Sequence, residues 1–218
     1  MKVMIVEEIR NAIRERGKGI FIVFSSAPIG DGTGIKHGTG RSSIAKKVAE
    51  KLGGEYFSTG DIFRAKAKEL KFDINQMQEY AKEHPEVDVE LDKESVKRVK
   101  EAISKGKILT SDSNLLPYLI DEDVVRIAVD VDNNIRAKRV MDGQREGDKP
   151  LNTQEEALEY LDERSEEELD RYRKHPHEMY NGIDLNDQST FHGVVNNSGS
   201  LEESVDQALK IIKEKVVP

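Results

Sequence analysis

Cysteine and tryptophan are both absent from this 218-residue chain, and only six prolines interrupt it. Without cysteine there is neither a disulfide framework nor thiolate chemistry. No apolar run approaches ~18 residues, so no segment reads as a membrane-spanning helix. The N-terminal stretch MKVMIVEEIRNAIRERGKG has too short an apolar run and too many acids for a signal peptide. It reads instead as an amphipathic helix with Ile5, Val6, Ile9 and Ile13 on one stripe. An excess of positive charge is lacking too. The formal net charge is −8, which argues against non-specific nucleic-acid binding. Charge itself is plentiful, at 35% of residues. A Lys/Glu-rich chain without cysteine or tryptophan fits a soluble, cytoplasmic protein, and equally one from a heat-tolerant source. The expected partners therefore include neither membrane nor nucleic acid.

Glycine is concentrated in one place. The segment PIGDGTGIKHGTGRSS (residues 28–43) holds five glycines in eleven residues and spells Gly-Thr-Gly twice. Before it lies GIFIVFSSA (19–27), a short Ile/Val/Phe-rich run that reads as a buried strand. After it, Ile44, Ala45, Val48, Ala49 and Leu52 recur at helical spacing until Gly53 and Gly54 stop them. Only the second Gly-Thr-Gly abuts that helix, so its N–H groups and those of the first helical turn can point at an anion. Aligned on the phosphate-loop pattern G-x-x-x-x-G-K-[ST], the segment IKHGTGRS keeps Gly38, Gly40 and Ser42. Ile35 stands where the first glycine belongs, and Arg41 replaces the lysine. Arginine keeps a permanent charge and can grip a phosphate bidentately. Taken alone the match is degenerate, and a Gly-rich surface turn accounts for it as well.

Strand and helix patterns alternate through the rest of the chain. Strands are expected at 55–59, 107–111, 124–132 and 193–198. Helices are expected at 60–70, 74–84 (capped by Asp73), 87–104 and 201–216, with a charged helical region over 133–180 broken at 143–150. This order predicts an α/β fold, a doubly wound parallel sheet of five strands. Ligands of such sheets bind at the carboxyl ends of the strands. That rule selects the Gly-rich loop, Thr59-Gly60-Asp61, Ser111-Asp112-Ser113-Asn114, and Asp130 with Asp132. Arginines gather after the fourth strand: Arg136, Arg139, Arg145, Arg164, Arg171 and Arg173. Arg164, Glu168 and Arg171 share one helix face. Either this face is solvated and its acids and bases pair among themselves, or it belongs to a lid that closes on transferring phosphates.

The segments GTGRSSIAKKVAEKLGGEYFSTGDIFR, YAKEHPEVDVELDKE, AKRVMDGQREG and ERSEEELDRYRKHPHEMYNGIDLNDQSTFHGVVNNS together resemble the nucleoside monophosphate kinases, and most of all the archaeal-type cytidylate kinases. The resemblance runs from Gly19 onward. It implies a single P-loop kinase domain over 1–218, with core segments 19–59, 106–135 and 190–218. An acceptor-binding helical insert would span 60–105 and an Arg-rich lid 136–180, with an extra N-terminal helix over 1–18. It implies ATP and Mg²⁺ as cofactors and phosphoryl transfer to a nucleoside monophosphate, CMP or dCMP, by a monomer or homodimer. By position, Gly38, Thr39, Gly40, Arg41, Ser42 and Ser43 would hold the donor phosphates, with Ser42 on the metal. Asp61, Arg64 and Asp112 would serve the acceptor. Arg41, Arg139, Arg145, Arg164 and Arg171 would neutralise charge on the moving group. Asp184 and Asp187 lie in a Gly-Ile-Asp-x-x-Asp segment whose role the resemblance leaves open between structural and functional.

Three departures stand out. The phosphate loop is longer, with extra material at about 27–35 that contains the first Gly-Thr-Gly. Asn114 stands where relatives carry an arginine that reaches the acceptor phosphate. A lost contact of that kind is worth roughly 1.5–3 kcal/mol, or ~10–100-fold, so another cation compensates, the acceptor differs, or activity is weak. The N-terminal helix is extra, and its apolar stripe packs either on the core or on a second subunit.

Overall fold

A computed structural model describes residues 2–26, 35–143, 151–173, 175 and 177–218. The first Gly-Thr-Gly and Arg145 lie outside the described residues. At the centre is β1 (Ile20–Ser26), every residue of which is buried. It pairs in parallel with β3 (Ile108–Asp112) on one side and β4 (Val124–Asp130) on the other. β2 (Glu55–Ser58) and β5 (Gly193–Asn196) complete a five-stranded parallel sheet in the order β2-β3-β1-β4-β5. Chain order reverses at β1, so the crevice where parallel sheets take ligands opens beside its carboxyl end. The continuous apolar runs of β1 and β4 follow from burial on both faces.

Helices cover both faces. On one side lie α1 (Lys2–Glu15), α2 (Arg41–Leu52) and α9 (Leu201–Val216). They share a core with the sheet through Ile9, Ile13, Ile22, Phe24, Ile44, Val48, Ile127, Val205, Leu209 and Ile212. The stripe of α1 therefore packs on the body of its own chain. Its position is fixed by polar contacts as well. Arg10 donates from Nε to the carbonyl of Leu52 at 3.1 Å and from Nη2 to that of Lys51 at 2.7 Å. A guanidinium on the last carbonyls of α2 complements the negative end of that helix, typically for ~0.3–1 kcal/mol.

On the other side lie α3 (Thr59–Glu69), α4 (Ile74–Glu83) and α5 (Glu86–Ser104). Asp73 and Gln76 form a reciprocal capping box at the start of α4. Pro85, two residues past the end of α4, opens α5 as its N-cap. Past β3 come the single turn α6 (Leu116–Leu119), and past β4 come α7 (Asn133–Asp142) and α8 (Gln154–Arg173). Leu169 of α8 packs with Ile35, Val89, Leu115, Tyr180 and Leu185, which ties α8 to α5 and to the end of the Gly-rich segment. Most element boundaries agree with the sequence expectation to within about two residues, but the charged helical region expected to run to 180 ends as α8 at Arg173. The fourth and fifth strands stop two residues early, because Asp132 and Ser198 already belong to loops at the sheet's carboxyl edge.

Candidate active site

The second Gly-Thr-Gly sits where β1, through the longer loop, delivers the chain to α2. Gly38 and Gly40 have φ of +80° and +79°. That left-handed region is strained for any residue with a Cβ. Thr39 between them is buried. Gly40 is the N-cap of α2, and no side chain caps that helix, so its leading N–H groups are the kind that bind anions.

Three elements close around this turn: α7, α8 and the segment just past β5. Arg136, at the start of α7 and 2% exposed, donates from Nε to the carbonyl of His37 at 2.6 Å and from Nη2 to Asp162 of α8 at 2.8 Å. Arg136 is thus an anchor between loop and helix and is not a spare cation. Asn197, just past β5, donates from Nδ2 to the carbonyl of Thr39 at 2.7 Å. Arg139 donates from Nη2 to the main-chain carbonyl of Asn197 at 2.8 Å. Its other terminal nitrogen, Nη1, is buried with no hydrogen-bond acceptor among the described residues and lies 3.3 Å from where a Cβ on Gly40 would stand. A buried unpaired donor is costly, and this one is aimed over the glycine turn.

The next residues form a second polar group. Ser42 Oγ donates to Asp112 Oδ2 at 2.5 Å, and Tyr56 OH donates to Oδ1 of the same carboxylate at 2.5 Å. Burial, and then the Asp112 carboxylate, hold the Tyr56 phenol well above its usual range, so it stays a neutral donor. Arg41 Nη1 donates to Ser26 Oγ at 3.0 Å and to Asn114 Oδ1. Asn114 also accepts from Ser25 and Ser26, and its Nδ2 donates to Glu168 Oε1 of α8 at 2.9 Å. The other Glu168 oxygen lies 2.9 Å from His37 Nε2. Among the described residues the ring nitrogen has no well-aligned acceptor, so this contact is a close polar approach rather than a good hydrogen bond. Burial opposes ionisation of Glu168, but His37, Arg41 and Asn114 together outweigh it and hold its carboxyl down at about 2. Burial lowers the pKa of His37 despite Glu168, with Arg164 and Arg41 adding to the lowering.

The arginines of α8 part ways. Arg171 Nε approaches Asp88 Oδ2 of α5 at 3.4 Å, and Asp88 is 8% exposed. Arg164 is exposed. Glu168, which a solvated face would pair along its own helix, points instead to His37 of the loop and to Asn114 just past β3. The α8 face is therefore not a solvated set of neighbouring pairs. Asp61 and Arg64 pair with each other at 2.5 Å, both well exposed on α3. Asp184 and Asp187 accept from the main-chain N–H groups of Asn186 and Ser189, as turn caps do.

A sequence profile described as an AAA domain matches residues 36–156, from just before the glycine turn into α8. Cytidylate kinase of Pyrococcus horikoshii is 31% identical over 181 residues, covering 83% of this chain and 86% of the relative. The chain belongs to the family of the archaeal cytidylate kinases. Cytidylate kinase of Aeropyrum pernix is 33% identical over 178 residues, with 81% and 92% covered. Shikimate kinase from Acinetobacter baumannii, solved in complex with shikimate, superposes with a TM-score of 0.50 at 12% identity, covering 93% of this chain and 96% of that one. It supports the P-loop kinase fold alone.

The glycine turn and Arg139 fit the phosphates that this family handles. Backbone donors and a buried, unsatisfied guanidinium N–H converge there. The Ser42 hydroxyl beside Asp112 supplies hard oxygens of the kind that take Mg²⁺ through one or two protein ligands, phosphates and water. Among the described residues no group of three or more His, Asp or Glu is placed to hold a metal ion by itself. Sequence reasoning missed Asn197 and His37, and saw Glu168 only in relation to the arginines of its own helix. Their partners lie 158, 131 and 54 positions away in the cases of Thr39, Glu168 and Asn114, and periodicity carries no signal over such separations.

Proposed function

We propose that this chain is an ATP-dependent nucleoside monophosphate kinase whose preferred acceptor is CMP or dCMP. The observation that carries the proposal is Arg139 Nη1, a buried donor without an acceptor, held over two left-handed glycines at the N-terminus of α2. Family membership supplies the acceptor class. In this reading Gly38, Thr39, Gly40, Arg41, Ser42 and Ser43 hold the donor phosphates. Mg²⁺, seated by Ser42 with Asp112 behind it, would neutralise phosphate charge. Asp112 also accepts from Tyr56, which fixes the carboxylate's orientation. Asp61 and Arg64, by their place in the shared motif, meet the acceptor. Arg41, Arg139, Arg145, Arg164 and Arg171 neutralise charge on the transferring group. Residues 60–105 are the acceptor-binding insert and 136–180 the lid of one domain that works as a monomer or homodimer in the cytoplasm.

Phosphoryl transfer asks for positioning and charge neutralisation more than for covalent help from the protein. The site offers both and needs no named general base. Arg41 turns from Ser26 and Asn114 toward phosphate when it is present. Asn114 carries no charge to the acceptor, so Arg64, freed from Asp61, supplies the cation on that side.

A coupled assay across all ribo- and deoxyribonucleoside monophosphates with ATP and Mg²⁺ tests the proposal. The expected outcome is turnover highest with CMP or dCMP. A profile led by AMP, UMP or dTMP overturns the acceptor and leaves the kinase class. Binding of ATP without turnover of any monophosphate replaces the enzyme by a kinase-like binding protein, the reading that the altered loop and Asn114 favour.

A further inference from the structure

We infer that Asn197 is a positioning residue for the donor phosphates, fixing the glycine turn and Arg139 relative to each other. The inference rests on the proposed reading of that turn. Asn197 is 3% exposed, and each of its four polar groups has a partner on a different element. Its main-chain N–H donates to the carbonyl of Asp130 at the end of β4, at 2.7 Å. Its main-chain carbonyl accepts from Arg139 of α7. Its side-chain Oδ1 accepts from Ser204 Oγ of α9 at 2.7 Å, and Nδ2 donates to the carbonyl of Thr39. The amide orientation is forced: a carbonyl only accepts, so the nitrogen must face Thr39.

This arrangement does something that no single contact does. In a loop that presents N–H groups to an anion, the carbonyls must point away, because a carbonyl turned inward repels phosphate. Asn197 holds the Thr39 carbonyl from behind. The Asn197 Nδ2 also lies where a Cβ on Gly40 would go, so amide and turn are in direct contact. The same residue's main chain fixes the guanidinium whose free nitrogen overhangs Gly40. Cradle and cation are thus registered through one residue at the sheet's edge.

The side chain and the main chain can be separated by mutation, since substitution leaves the Arg139 bond to the carbonyl of residue 197 in place. Asn197→Asp keeps the shape and the bond from Ser204. It removes the donor to Thr39 and puts a negative charge behind the cradle. Asn197→Ala removes both side-chain bonds without the charge. Loss of a buried hydrogen-bonded donor commonly changes an equilibrium by about tenfold or more. Both variants should raise the KM for ATP by at least about tenfold, the aspartate more than the alanine, with the KM for the monophosphate within about twofold of the parent. The control is Leu209→Ala, a cavity in the α9 core, which lowers the melting temperature without touching the turn and should leave both KM values within about twofold. Equilibrium titration with ATP alone should reproduce the ATP effect.

If the parent binds ATP and turns over, and Asn197→Asp keeps its KM for ATP within about twofold, the inference falls and the proposed function stands. It falls too if both KM values rise together, or if Leu209→Ala raises the KM for ATP equally, because Asn197 is then only a structural contact. If the parent does not bind ATP at all, the proposed function and the inference fall together.

Discussion

The glycine turn and the α8 side of the crevice meet at His37, and they are held by opposite kinds of interaction. The turn is fixed by main-chain geometry and hydrogen bonds to main-chain carbonyls: left-handed glycines at 38 and 40, the Thr39 carbonyl on Asn197, and the Asn197 carbonyl on Arg139. The α8 side is fixed largely by charge: Arg171 against Asp88, Arg136 against Asp162, and the ionised Glu168 held beside His37 and Asn114. Hydrogen bonds to main-chain carbonyls at ideal distance favour one geometry, and no group in them titrates near neutral pH. Buried ion pairs carry a desolvation penalty and hold only while both partners are present. An element that must exchange internal partners for substrate phosphates suits the second kind.

Breaking the turn should have the largest effect. An alanine at Gly40 must adopt φ near +79°, and its Cβ would overlap the Asn197 amide. The backbone term is ~1–2 kcal/mol, and the overlap forces Asn197 off Thr39 as well. Gly40→Ala is expected to weaken ATP binding, read by equilibrium titration, by at least ~100-fold. Gly17→Ala separates the two causes. Its φ is +68° with nothing within 4 Å of the new Cβ, so it should lose stability and keep ATP affinity. Equal loss of affinity in both variants would mean that the turn is strained but has no role in the site.

The charged side should lose less, and its two arginines should differ. Arg164→Ala and Arg171→Ala are each expected to lower turnover by ~10-fold or more in the coupled assay, as loss of a preorganised cation does. Only Arg171→Ala should also lower the melting temperature clearly. It strands Asp88, whose carboxyl burial already pushes upward, without its cation. Arg164 is exposed and strands nothing of the kind. Parent-like turnover in both variants would reduce α8 to a structural helix, and equal melting temperatures would contradict the Asp88 pairing.

The same contrast explains what could be read from sequence. The turn is legible because its requirements are local: glycine for positive φ, a buried strand before, an apolar-periodic helix after. Likewise the sheet follows from Val/Ile-rich runs, and α9 is bounded as its pattern predicts, from the capping box at Ser200 and Glu203 to Val216. The charged side is legible only as a surplus of arginines. Which carboxylate each one meets depends on where α5 and α8 come together in space. Arg171 looks paired with Glu168 along its own helix, yet it meets Asp88, 83 positions earlier. Arg136 looks like one more lid cation and is a buried tie between α7, the loop and α8.

The smallest effect concerns pH and should be confined to the charged side. Burial pushes the Asp92 carboxyl of α5 up to about 7 against an ordinary 3.8. Tyr180 OH, donating to it at 2.7 Å, and Arg171 work against that rise, while Asp88 and Glu168 add to it. The folded chain therefore keeps this proton up to near pH 7, whereas the unfolded chain releases it near pH 4. Between those values the folded state binds more protons, so stability falls as pH rises. The contribution is fully present below about pH 4 and lost as pH rises through about 7. Asn at this position imitates the protonated acid and can still accept from Tyr180. Asp92→Asn should therefore melt close to the parent at about pH 4 and increasingly above it as pH rises to about 7, keeping that lead at pH 8. His37 and Glu168 have the opposite sign. Their folded pKa values are lowered, so their contributions fade as pH falls below about 6.5 and about 4.5 respectively. Both groups remain in parent and variant, so they cancel in the difference between the two melting curves. A difference that stays constant from pH 5 to pH 8 would show that Asp92 is already ionised in the folded protein, with the α5–α8 seam more open to water than its packing implies.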